Sequence, residues 1–358
     1  MRVMILILAL TAALTVPVRG TELPEDVTDA LPSGAEKVLG DLEDTGPEDF
    51  TGDVAKVLSW AGGQVKEVLT QRVRGAASIL LIVVLCGAVE GFHQGASGRS
   101  LPFLPMAGAL SVTLAAAGSL DTLIGLGAQT MEDLSAFSQA LLPTLAAATA
   151  ASGAVTTATF QQVATVFLVD LFLRLVKGVL LPLVYLYIGV LTASACLPEG
   201  PLGAIAAGVK KAATWLLTTP LIAFTVYLSV VRVVSGTADS ARVKVAKAAI
   251  SGVVPVVGGI ISEVSETVLA GAGLLRGTIG VFGMLAVLAA CAYPFLQLGI
   301  QYLLYKLTAF LASAVGSPGL CKLIDGLGGA FGLVLGMTGA CALLLLVSIL
   351  ASVSAVMP

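Results

Sequence analysis

Residues 329–356 read GAFGLVLGMTGACALLLLVSILASVSAV, 28 residues without one charged side chain. A helix needs about 20 mainly apolar residues to cross the hydrocarbon of a bilayer, so this stretch predicts a membrane helix. Outward from it, segments of the same kind recur near 295–315, 267–293, 213–231, 178–197, 157–173, 104–128 and 76–93. The spacing predicts an all-α, polytopic transmembrane bundle with about eight spans over 75–358. Composition agrees. Of 358 residues, 57% are hydrophobic and 11% charged, and mean hydropathy is +0.99, whereas a soluble domain carries about 25% charged residues. The partner that this composition demands is a lipid bilayer.

Two apolar stretches are too broken to read as simple spans: 141–153, with Pro143 and a run of alanines, and 253–259, with Pro255 followed by Gly258 and Gly259. Proline removes a backbone donor, and paired glycines loosen a helix. Such backbone survives at membrane depth only inside protein or against a wet cavity, so both are expected to be re-entrant or broken helices. Pro143 and Pro182 are 39 residues apart, as are Pro255 and Pro294, and a shift of 112 lays 157–197 over 269–309. These coincidences suggest an internal repeat, with inverted copies by the span count, as in secondary transporters.

The hydrophilic part lies before the spans. Residues 1–20 carry Arg2, an apolar run from Val3 to Val16 and a small-x-small site at Val18–Gly20, the pattern of a secretory signal peptide; an uncleaved first helix is the alternative. Residues 21–74 follow. Eleven of the chain's 22 acidic residues lie between Glu22 and Asp53, beside the single Lys37, and Pro24, Pro32 and Pro47 punctuate this acidic arm. From Asp53, apolar residues at helical spacing (Val54, Val57, Leu58, Ala61, Val65, Val68, Leu69) predict an amphipathic helix.

Lys and Arg set orientation. The loop with Arg232, Arg242, Lys244 and Lys247 is expected in the cytoplasm, Arg174 and Lys177 with it, and the acidic arm, Glu132, Asp133 and Glu199 on the outside. Arg72 and Arg74 oppose that assignment.

Chemistry is sparse. His93 is the only histidine, which excludes HExxH and His-rich metal sites. There is no GxxxxGK[ST] loop. Basic residues are too dispersed for nucleic-acid binding. Cys86, Cys196, Cys291, Cys321 and Cys341 form no CxxC pair and read as small buried hydrophobes. No catalytic residue, metal site or cofactor is expected. Ionisable groups inside spans cost a few kcal/mol each at the bilayer centre. Asp170 and Arg174, at i and i+4, could pair as an intramembrane polar site, while Glu90, Arg174 and Lys306 also suit snorkelling near span ends. Asp121 and Arg276 are further candidates. Gly328, Gly332 and Gly336 make a small-xxx-small stripe for close helix packing, within the chain or in a homo-oligomer.

The stretch SGTADSARVKVAKAAISGVVPVVGGIISEVSETV at 235–268 joins a basic amphipathic helix to the second broken segment. It resembles the signature of the stage III sporulation protein AE family, and LLPTLAAATAASG at 141–153 and the N-terminal pattern fit too. The motif positions are Asp239, Lys247, Pro255, Gly258 and Gly259. The resemblance implies a multi-pass protein of the mother-cell-derived membrane around the forespore. It implies other stage III sporulation membrane proteins and a secretion-type ATPase as partners, in a channel or feeding-tube complex needed for endospore formation. A secondary transporter for a small solute is the rival, motivated by the repeat and Asp170.

Overall fold

The computed structural model describes residues 25–39, 50–97, 103–151, 167–197, 200–224, 226–227, 258–315 and 317–354. The signal segment and the motif residues Asp239, Lys247 and Pro255 lie outside them. All regular structure among the described residues is helical: α1 Glu25–Asp29, α2 Ser33–Leu39, α3 Phe50–Ser97, α4 Leu104–Ala151, α5 Phe167–Cys196 with a π-helical turn at Val176–Leu180, α6 at 202–224, α7 Gly258–Ala312 and α8 Pro318–Ser354. Five of these are long and apolar enough to cross a membrane: α3, α4, α5, α7 and α8.

The helices are longer and fewer than the eight expected spans. Segments 157–173 and 178–197 belong, where described, to one helix, α5, and 267–293 and 295–315 to one helix, α7. The amphipathic helix from Asp53 continues directly into the first span as α3. Hydropathy dips at Arg174–Lys177 and at Pro294 look like loops in sequence, but a dip in apolarity does not break backbone hydrogen bonding. Pro143 likewise lies inside α4, which runs on to Ala151, so 141–151 is not a re-entrant break. Proline removes one bond of the ladder, but Leu141, Leu142 and Leu145 on either side are buried in the core and hold the helix against it. Of the second broken segment, Gly258 and Gly259 form the start of α7.

Hydroxyls inside these helices satisfy themselves. Thr130, Thr144, Thr192, Thr308 and Thr338 each donate to the carbonyl four residues earlier, at 2.7–3.1 Å, so they enter an apolar setting without an orphaned donor.

Close approaches fix the directions. α7 and α8 are antiparallel, with Gly328 and Gly332 of α8 against Tyr305 and Tyr302, and Gly339 against Phe295. α5 is also antiparallel to α8, through Ala195 near Gly319, Leu191 near Gly326 and Tyr187 near Gly329. α6 runs with α8, placing Lys210 at Gly329 and Leu217 at Gly336, and so does α4, with Gly108 at Leu320 and Gly127 at Val334 and Thr338. Thus α5 and α7, the pair related by the 112-residue shift, run in the same direction where described, and not in the opposed directions that inverted copies require.

The same directions correct the expected sidedness. The C-terminal ends of α3, α5 and α7 and the N-terminal ends of α4, α6 and α8 share one end of the bundle. α6 leaves toward, and α7 enters from, the opposite end. α3 starts from that opposite end, and Gly34 of α2 lies against Ala290, part-way along α7. The described flanks of the basic loop and the start of α3, which follows the arm, therefore share an end, whereas the span count puts loop and arm on opposite sides.

The glycine stripe is spent inside the chain. A methyl at Gly328 would stand 3.1 Å from Tyr305 Cβ, and one at Gly332 3.2 Å from the Tyr302 ring, while Gly336 meets only the end of the Leu217 side chain. Gly328→Ile is therefore expected to lower stability by roughly 2 kcal/mol or more through overpacking, and Gly336→Ala by much less. Thermal unfolding of both variants in detergent checks the order.

Candidate functional site

Charged side chains collect at one level of the bundle. The expected pair exists: Arg174 Nε lies 2.9 Å from Asp170 Oδ2, as the i,i+4 spacing requires. Both side chains are largely exposed (77% and 49%), so the pair lies on the outer surface and is no buried relay. One turn away, Lys177 Nζ reaches Glu132 Oε1 of α4 at 2.6 Å. That contact also places Glu132 and Lys177 on the same side, against their expected separation. From Lys177 to Cys196 is 19 residues, about 28 Å of helix, close to the hydrocarbon thickness of roughly 30 Å. Toward the opposite boundary, Lys306 Nζ meets Asp325 Oδ1 at 2.5 Å and stands 5.8 Å from the Tyr302 ring centroid.

Inside the bundle α7 presents a polar ladder. Gln297, Gln301 and Tyr305, spaced i, i+4, i+8, are 5%, 2% and 1% exposed. Arg72 of α3 reaches in and donates from Nη2 to Gln297 Oε1 at 2.6 Å. Arg72 Nε is buried without a hydrogen-bond partner, and Gln301 Oε1 and the Tyr305 hydroxyl, near enough to interact, form no well-aligned hydrogen bond. An orphaned buried polar atom costs about 1–3 kcal/mol, so one such group on α3 facing two a turn apart on α7 is a cost that packing alone does not explain, and such groups call for a specific account. Next to the ladder, Tyr305 packs edge-on to Phe331, with ring centroids 5.1 Å apart.

A cavity of ≈ 540 Å³ opens beside the charged level, between α2, α3, α4 and α7. Trp60 and Gln64 of α3, Gln129 and Asp133 of α4, and Tyr293 and Pro294 of α7 form most of its polar and aromatic wall.

Of the residues singled out in sequence, the structure joins Asp170 to Arg174 and packs Gly328, Gly332 and Gly336 against α6 and α7. It does not gather the two sets into one site. Among the described residues no group of three or more His, Cys, Asp or Glu could hold a metal ion. Sequence reading missed the ladder and the cavity. The signal for the ladder was present, since Gln297, Gln301 and Tyr305 are polar positions at helical spacing in an apolar run. The cavity has no such signal because its wall comes from four helices.

The model of the stage III sporulation protein AE family matches residues 43–356, which include the 235–268 motif. The chain is 23% identical over 210 residues to the stage III sporulation protein AE of Bacillus subtilis (strain 168), covering 59% of this chain and 53% of that protein. The chain spans about half the length of the curated relative it matches. No solved structure matches it.

Proposed function

This chain belongs to the stage III sporulation protein AE family, and on that footing we propose that it is an integral membrane component of a channel-like complex needed for endospore formation. Its work there is transport or assembly rather than catalysis. The family match over residues 43–356 is the observation that carries the reading. The bundle supports it physically: Lys177, which pairs with Glu132, stands about 28 Å from the end of α5, which suits one face of a hydrocarbon layer, and the polar ladder lies inside.

In this reading the protein sits in the mother-cell-derived membrane around the forespore. The signal segment exports the acidic arm, so the end from which α3 starts faces the space between the two membranes. The described helices on either side of residues 228–257, α6 and α7, run to that same end, and contact with other stage III sporulation membrane proteins is assigned there. The end with Lys306 and Asp325 faces the mother-cell cytoplasm and the secretion-type ATPase. Deleting the gene in the spore-forming host is expected to abolish heat-resistant spores, with recovery when the chain is supplied in trans; normal spore yield from the deletion strain would sink the function.

Sidedness has its own test. In a cysteine-free background, Glu36→Cys and Ser240→Cys are expected to react with a membrane-impermeant maleimide from the same side. Labelling from opposite sides would contradict the arrangement.

A further inference from the structure

We propose that the cavity between α2, α3, α4 and α7 is a binding site for a small organic cation, a primary ammonium on a flat apolar body. The volume, ≈ 540 Å³, lies within the range of small-molecule pockets, about 300–1,000 Å³. Among the described residues of the wall Asp133 supplies the only charge, and none of them is Lys, Arg or His. Its neighbour Glu132 is neutralised by Lys177 at 2.6 Å, whereas among the described residues no cation pairs with Asp133.

Several of the remaining polar atoms can accept. Pro294 has no N–H to return to the Ala290 carbonyl four residues earlier. That oxygen lies at the cavity wall toward α2, 3.3 Å from where a Cβ on Gly34 would stand. Glycine at 34 avoids a tight side-chain contact with that oxygen. Thr130 spends its proton on the Leu126 carbonyl at 2.8 Å, which leaves its oxygen only as an acceptor. The amide oxygens of Gln64 and Gln129 add two more. One carboxylate and several acceptors match a group with three donors and one positive charge. Trp60 and Tyr293 supply apolar wall for the body of the ligand, and their ring faces favour a cation.

The chain reports on its own cavity. It has two tryptophans, Trp60 in the wall and Trp215, which is exposed on α6. In the full chain carrying Trp215→Phe, reconstituted in nanodiscs, 2-phenylethylammonium is expected to change Trp60 emission saturably, and neutral 2-phenylethanol is not. Asp133→Asn is expected to weaken binding by roughly tenfold or more, the loss of one charge-assisted contact. Glu132→Gln, which removes a carboxylate already paired, should leave it within about threefold. Unchanged affinity in Asp133→Asn, an equal saturable response to 2-phenylethanol, or no saturable response at all would each overturn the site. Should Asp133→Asn fail to give a monodisperse protein, Gln129→Leu serves in its place, and unchanged affinity there is equally fatal.

Discussion

Gln297→Leu is expected to lower stability by about 1.5–3 kcal/mol, the worth of a hydrogen bond to a charged group. Arg72 Nη2 would lose its acceptor at 2.6 Å, and Arg72 Nε already has none. A guanidinium would then sit partly buried without its side-chain acceptor, the situation in which breaking a pair costs most. Arg72→Met alone strands the Gln297 amide instead and is expected to cost less. The double variant removes both partners, so it should recover much of the loss. Thermal unfolding of the four proteins gives the coupling between the two positions directly. The same set separates stability from use. If the ladder serves passage or assembly, the stable double variant should still give markedly fewer heat-resistant spores than the wild type. Normal spore yield from the double variant would show the ladder to be structural only.

Phe331→Ala is expected to be the more damaging change, roughly 3 kcal/mol, the lower end of the range for phenylalanine truncation in a core. Phe331 is fully buried and meets Tyr305 edge-on at 5.1 Å. The lower end applies because lipid is as apolar as the core, so little transfer energy is at stake between helices. What is lost is dispersion contact and the filled volume behind the Tyr305 ring. Phe331→Leu keeps part of that volume and should cost less than half as much. Thermal unfolding in one detergent ranks the two variants; equal losses would mean that the aromatic contact, and not the volume, carries the energy. Loss of the neighbouring ring also frees Tyr305, so the ladder should loosen with it.

Much was legible before any coordinates. An apolar run such as 329–356 has no stable place outside lipid or a protein interior, because each residue would leave apolar surface in water. Local backbone hydrogen bonding then makes it a helix. The Asp170–Arg174 pair followed from i,i+4 spacing alone, and the family followed from 235–268. These are short-range facts, and short-range facts are written in consecutive residues.

Helix ends and sides were not legible for a physical reason. Hydropathy counts apolar residues, and a long helix with polar residues part-way along it looks like two short helices with a loop. α5 through Arg174–Lys177 and α7 through Pro294 are both of this kind. A buried proline is tolerated when its neighbours are packed, and packing is a property of other helices. The 28-residue run that began the reading forms most of α8, as its composition requires. The sequence by itself determined that α8 is an apolar helix with a glycine stripe. Only the tertiary structure decided what the stripe meets, Tyr305, Tyr302 and Leu217 of the same chain. It also decided that Asp133, Trp60 and Pro294 enclose one cavity, because side chains far apart in sequence become neighbours only when long helices fix their register against one another.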